Sequence, residues 1–213
     1  VLLNNFEITI HPGEKVAFVG MEHNSISSFF DIVSGTKKCE GATVNWGQTT
    51  KQTYMGRDNS GYFNNELTIT DWLKQYSPDQ DDAYVRGFLG RMLFTGDESL
   101  KKVKVLSGGE KVRCMLSKMM LSGANVLILD DPTNHLDLES IESLNEGLVK
   151  FPGVVLFSSH DHEFISTIAN RIIEITPKGV IDRMMPFDDY LKDEQVKSLR
   201  KEYYAGTDKK IRF

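Results

Sequence analysis

The chain is poor in the features that would make it a secreted, membrane-spanning or nucleic-acid-coating protein. Only two cysteines, Cys39 and Cys114, occur in 213 residues, so no disulfide framework holds the fold. Cys114 falls among Val112, Met115 and Leu116 at helical spacing, as a core thiol would. No apolar run approaches the ~18–20 residues that cross a bilayer, and no signal peptide opens the residues given, so a cytoplasmic setting is expected. Positive charge is not in excess. The net charge is −5, which excludes a basic footprint over the whole domain. One stretch departs from this. From Val196 onward Lys197, Arg200, Lys201, Lys209, Lys210 and Arg212 outweigh Glu202 and Asp208, a basic tail that could touch RNA phosphates; a solvated helix end is the plainer reading. There is no internal repeat and no low-complexity segment.

What is present reads as α/β. Val16–Val19, Val126–Leu129 and Val154–Phe157 are short continuous apolar runs, the pattern of strands buried on both faces of a parallel sheet. Helical patterns separate them: Val112, Met115, Leu116 and Met119 share one face, and Ile141, Leu144 and Leu148 another. Asp137, followed by Glu139, suits the N-cap of the second helix. Near the start, Phe6–Ile10 alternates and should pair with the Lys15 strand through a turn at His11–Glu14, and Thr43–Trp46 adds a further short strand. From Thr68 to Lys104 the sequence turns polar and helical, with Val85, Phe88, Leu89, Met92 and Leu93 on one stripe, which predicts a small helical insert.

Two motifs carry the chemistry. Leu127-Ile-Leu-Asp130-Asp131-Pro-Thr-Asn-His-Leu-Asp137 is an apolar strand ending in two carboxylates, as a Mg-nucleotide site requires: a buried sheet fixes the acids and their charge holds the ion. Upstream, Leu106-Ser107-Gly108-Gly109-Glu110 opens a helix with bare N–H groups and a positive dipole end, which suits a phosphate. The strand ending at Gly20 should then feed a phosphate loop of the form Gly, four residues, Gly-Lys, Ser or Thr. The chain reads Gly20-Met-Glu-His-Asn24-Ser25-Ile26-Ser27-Ser28. Gly20, Ser27 and Ser28 fit; Ser25 replaces the second glycine and Ile26 the lysine. Losing one charge-assisted hydrogen bond of about 1.5–3 kcal/mol weakens nucleotide binding roughly ten- to a hundredfold.

Taken together, Leu106–Lys111, Asp131–Asp137, Ser140-Ile-Glu-Ser-Leu144, Arg91-Met-Leu-Phe94 and Ser159-His160-Asp161 resemble an ATP-binding cassette domain, and more narrowly the second cassette of the ABC-F family of ribosome-associated, two-cassette ATPases. The resemblance runs to about Leu191. It implies a P-loop NTPase-like ABC nucleotide-binding domain with an antiparallel β subdomain and a helical subdomain. Residues 1–67 would hold the first part of the core with the β subdomain, 68–105 the helical subdomain, 106–195 the rest of the core, and 196–213 the basic tail. It implies ATP and Mg²⁺ as ligands, weakly bound. Gly20, Asn24, Ser25, Ile26, Ser27, Ser28 and Arg57 would lie along the nucleotide, with Ser27 and Asp130 on the metal side. Asp131 would stand at the catalytic carboxylate position, where the family has glutamate, and His160 would sense the γ-phosphate. Ser107, Gly108, Gly109 and Glu110 would cap the ATP of a second cassette paired head to tail, and Asn134–Asp137 would face that partner. Arg57 stands where the family has glutamine, and could replace the lost lysine as a cation for phosphate. The family's adenine-stacking aromatic lies upstream of Val1, so the chain is expected to be a piece of a longer protein.

The expected function is thus one cassette of a translation-related ATPase, pairing with another cassette in the same chain or in a homodimer, its own site weak or inactive and its signature intact. Ribosome or RNA is the expected further partner, on family likeness alone. The alternatives are the ATPase subunit of a membrane transporter, against which the Asn134-His135-Leu136 loop and Arg57 both speak, and an interaction module that does not hydrolyse ATP.

Overall fold

The computed structural model describes residues 6–20, 23–78, 81–92, 94, 96–134 and 136–206. The three apolar runs form strands β1 (Lys15–Gly20), β3 (Val126–Asp130) and β4 (Val154–Ser158). Two later strands, β5 (Arg171–Thr176) and β6 (Gly179–Arg183), and an edge strand β2 (Gln52–Met55) complete a six-stranded sheet in the order β2-β3-β4-β1-β5-β6. The first five of these strands in sheet order run parallel, and β6 is antiparallel to β5. Every residue of β3, β4 and β5 is buried, because helices cover both faces.

Alternation along the strands divides the core in two. Val16, Phe18, Ile128, Leu156 and Ile173 face helix α1 (His23–Val33). Ala17, Val19, Leu129, Val155 and Phe157 face the opposite side, where α4 (Gly108–Leu121), α5 (Leu138–Lys150) and α6 (His162–Ile168) pack. The expected helical stripes hold: Met115, Leu116, Met119, Leu144 and Leu148 are all buried. Asp137 caps α5, its carboxylate accepting the Ser140 N–H at 2.9 Å. Between β2 and α4 lie α2 (Ile69–Lys74) and α3 (Asp82–Arg91), with Val85, Leu89 and Met92 buried and Phe88 packed against them; Leu93 lies outside the described residues.

Two expected strands are absent. Residues 6–10 and 43–46 carry no strand. Phe6, Ile8 and Ile10 lean on the α1-side cluster, so their alternation reflects packing without a ladder. Val44 and Trp46 are exposed. An apolar pattern sets which way side chains face, and a ladder needs a backbone partner as well. Among the described residues the antiparallel ladder is the β5–β6 pair, with an isolated antiparallel bridge between Thr68 and Lys102.

The C-terminal helices are tied to the sheet through one carboxylate. Glu174 on β5 is fully buried and accepts hydrogen bonds from Tyr190 in α7 (Phe187–Lys192), from Arg200 in α8 (Glu194–Tyr203) and from Tyr204, at 2.6–2.8 Å. Arg200 is therefore withdrawn from the basic surface expected of residues 196–213, and Lys197 pairs with Glu194. Lys209, Lys210 and Arg212 lie outside the described residues.

Candidate functional site

The carboxyl ends of parallel strands collect the site, as they do in open α/β sheets. Gly20, Asp130 and Ser158 are the last residues of β1, β3 and β4, and Asp130 and Ser158 are partners in register. The Ser158 hydroxyl donates to Asp130 Oδ1 at 3.0 Å and accepts the Asp131 N–H at 3.0 Å. No motif along the chain marks Ser158; its position opposite Asp130 on the adjacent strand is a property of the sheet. Asp131 follows with φ 53°, the single non-glycine residue in the left-handed region among those described, a conformation that aspartate tolerates better than most. Thr133 and Ser159 share a 2.8 Å hydrogen bond, and Ser159 accepts the Asp161 N–H at 3.0 Å. These bonds fix the turn that presents His160 at the surface, while Asp161 caps α6.

The strand before Arg57 brings it to the same edge. Met55 of β2 registers with Leu129 of β3, so two residues further on Arg57 and Asp131 stand side by side. Arg57 Nη2 lies 3.3 Å from Asp131 Oδ2, with the arginine side chain 41% exposed and the aspartate 6%. Tyr54, also on β2, donates to Asp31 of α1 at 3.1 Å. Burial, and then the charges of Asp130 and Asp31, push its hydroxyl above the ordinary phenol value.

The strand that feeds the phosphate-loop segment and the helix that follows it are both present: β1 ends at Gly20 and α1 begins at His23, with 21 and 22 outside the described residues. Asn24, Ser25, Ile26, Ser27 and Ser28 therefore sit on the first turns of α1. The cause is periodicity: Ile26, Phe29, Phe30 and Val33 fall at i, i+3, i+4 and i+7, an apolar stripe that draws the segment into a helix against β1. Ile26 is 2% exposed and packs with Phe18 and Phe30. It is a core residue, standing where the phosphate-loop lysine is expected. Gly20 remains necessary. Its φ is 155°, and a Cβ there would lie 2.3 Å from the Ile175 carbonyl oxygen.

The groups that would meet a metal ion fit better. Asp130 is 2% exposed, and the buried Ser27 hydroxyl has no hydrogen-bond partner, as a hydroxyl reserved for a ligand would. Among the described residues no group of three or more His, Cys, Asp and Glu side chains could hold a metal. Mg²⁺ would draw on one carboxylate, waters and phosphate oxygens, its usual habit. A cavity of about 20 Å³ bounded by Gly20, Ile26, His160 and Phe187 holds about one water.

The signature is fully built. Ser107 caps α4: its hydroxyl accepts the Glu110 N–H at 3.3 Å, and Glu110 accepts the Ser107 N–H at 2.8 Å, a reciprocal capping box. Lys101 pairs with the same carboxylate at 2.7 Å. Burial raises the Glu110 carboxyl, but Lys101 and the Ser107 N–H outweigh it and hold the group below its ordinary value. Ser107 and Gly108 are exposed while Gly109 is buried. A Cβ on Gly109 would lie 2.1 Å from Ser140 Oγ, so this glycine also answers to packing against α5. The structure thus keeps Asp130, Asp131, Ser158, Arg57 and His160 along the strand ends. It forms Ser107–Glu110 as a separate cap at the start of α4. His135 lies outside the described residues.

Residues 3–134 match the family described as ABC transporter. A curated relative, the uncharacterized ABC transporter ATP-binding protein YkpA of Bacillus subtilis, is 54% identical over 206 residues, 96% of this chain and 38% of its own length. The ABC transporter F family member 5 of Arabidopsis thaliana is 31% identical over 206 residues, 95% of this chain and 30% of its own. The chain spans less than two fifths of these relatives. A solved dimeric structure of an ATP-binding cassette in a post-hydrolysis state, bound to ADP and Pi, matches with a TM-score of 0.68 at 18% identity, over 86% of this chain and 90% of that one. That likeness carries the fold.

Proposed function

This chain belongs to the ABC transporter family as one of its ATP-binding domains, and on that premise we propose that it is an ABC-F-type cassette, one of two in a longer cytoplasmic ATPase that acts on the ribosome. Cassettes of this family bind ATP with Mg²⁺ and work in pairs. In our reading the chain's own nucleotide site is weak, and its main contribution is the capped signature helix, which completes the ATP site of a partner cassette. The ABC-F assignment draws on the run from Asp131 to Asp137 with Leu106–Lys111 and on the F-family relative; the ribosomal role follows from that assignment. No helix among the described residues is long and apolar enough to cross a membrane.

The observation that carries the asymmetry is the contrast between two helix starts. At α4 the Ser107–Glu110 box is complete and the two residues inside it are glycines. At α1 the residue in the lysine position is buried among phenylalanines. Ser107, Gly108 and Gly109 would therefore meet the partner's γ-phosphate, while Asp130 and Ser27 face a nucleotide held without the usual lysine. ATP titration with and without Mg²⁺ on the two-cassette protein tests this. One tight, turning-over site is expected, lost when Ser107 of this cassette is replaced by arginine. Two tight sites with equal turnover would refute the asymmetry.

A further inference from the structure

We propose that Tyr54 is a positioning residue: its hydroxyl pins helix α1 through Asp31 and so sets Ser27 against Asp130, the two groups that would meet Mg²⁺. The inference rests on the reading above that this lobe holds a Mg-nucleotide, however weakly, at its strand ends.

The four residues share one face of the sheet. Tyr54 of β2 registers with Ile128 of β3, and Ile128 packs with Ile26 and Phe30 of α1. Side chains two apart on a strand point the same way, so Asp130 also turns toward α1. Ser27 and Asp31 are four residues apart on that helix and stand one turn above the other. The Tyr54 hydroxyl donates to Asp31 Oδ1 at 3.1 Å. Burial, then the charge of Asp130, then that of Asp31 hold the phenol above its ordinary value, so it stays a donor at neutral pH.

The bond does more than fill space. Asp31 and Asp130 both act on the one hydroxyl. Without a donor there, the two carboxylates repel and α1 is drawn away from the end of β3. The Ser27 hydroxyl is buried and has no hydrogen-bond partner, so its place is set by the helix that carries it. Outer groups that hold metal-facing groups in place typically contribute ~10–100-fold in metal affinity. Tyr54 acts through a helix, which puts it at the lower end of that range.

The test is calorimetric titration of the whole chain with ATP, once with Mg²⁺ and once with EDTA. The ratio of the two affinities is the gain that the ion brings. Tyr54→Phe removes only the hydroxyl, and it is expected to cut that gain about tenfold while leaving ATP binding in EDTA unchanged. Asp31→Asn and Asp31→Ala lose the same charge, but only the amide keeps an acceptor, so the gain should be larger in the first. Tyr54→Phe added to Asp31→Ala should take away nothing more, since both remove one and the same bond. An unchanged gain in Tyr54→Phe would overturn the proposal, and so would an equal loss with and without Mg²⁺, which is what a loosened fold gives. A parent chain that gains nothing from Mg²⁺ would take down the reading of this lobe's own site together with the inference. A parent that gains, beside a Tyr54→Phe variant that gains as much, would sink the inference alone.

Discussion

Gly109 and Ser140 touch so closely that a methyl group on the glycine would stand 2.1 Å from the serine hydroxyl oxygen and 2.9 Å from its Cβ. The start of α4, which carries the signature, is thereby locked to the start of α5, which follows the two carboxylates. Gly109→Ala should destabilise the chain by about 1–3 kcal/mol, the usual cost of overpacking. Gly109→Ala with Ser140→Gly should recover much of it. Urea unfolding of the two variants and the parent checks this; failure of the second change to rescue the first would show that Gly109 is needed for its backbone alone.

Ser158 is a bracket between two acids. Removing its hydroxyl leaves the Asp131 N–H and one Asp130 oxygen without the partner they have now. Ser158→Ala should cost about 1–3 kcal/mol. The loss should shrink in Ser158→Ala with Asp130→Ala, because both changes remove the same hydrogen bond. A double-mutant cycle by chemical denaturation reads the coupling, and strict additivity would contradict the bracket.

Restoring a lysine at position 26 should not repair the phosphate loop. Ile26 is 2% exposed against Phe18 and Phe30, and an ammonium there would be desolvated, at a cost of several kcal/mol. Ile26→Lys is expected to lower Tm well below that of an Ile26→Leu control and to bring no gain in ATP affinity. A tenfold gain with Tm retained would mean that the first turn of α1 reopens into a loop at little cost.

The signature cap should weaken in acid. Glu110 has a carboxyl held below its ordinary value of 4.5 in the folded chain, so the folded state binds this proton less readily than the unfolded one. Its contribution is complete above about pH 4.5 and is lost as pH falls through the lower folded value. Glu110→Gln should therefore cost about 0.5–1 kcal/mol at neutral pH, with the gap to the parent closing below pH 4.5. Unfolding curves at neutral and acid pH decide it; a gap that widened in acid would reverse the sign.

Much of this protein could be read without coordinates. Continuous apolar runs at Val16–Val19, Val126–Leu129 and Val154–Phe157 identify buried parallel strands because only a two-faced core removes the need for alternation. Asp137 announces the start of α5, and Ser107 with Glu110 the start of α4, because capping is a matter of a few neighbouring residues. Asp130 and Asp131 mark the strand tip for the same local reason.

The rest was decided in three dimensions. That Ser158 brackets Asp130 and Asp131 depends on β4 lying next to β3, and that Arg57 meets Asp131 depends on the register of β2 with β3. Neither adjacency is written in spacing along the chain. The stripe of Ile26, Phe29, Phe30 and Val33 shares its residues with the phosphate-loop spacing, and its burial depends on α1 packing against β1. At residues 6–10 and 43–46 local propensity had no partner strand to act on. Contacts within one turn follow from the order of residues; contacts across strands follow from which surfaces the whole chain finds it favourable to bury together.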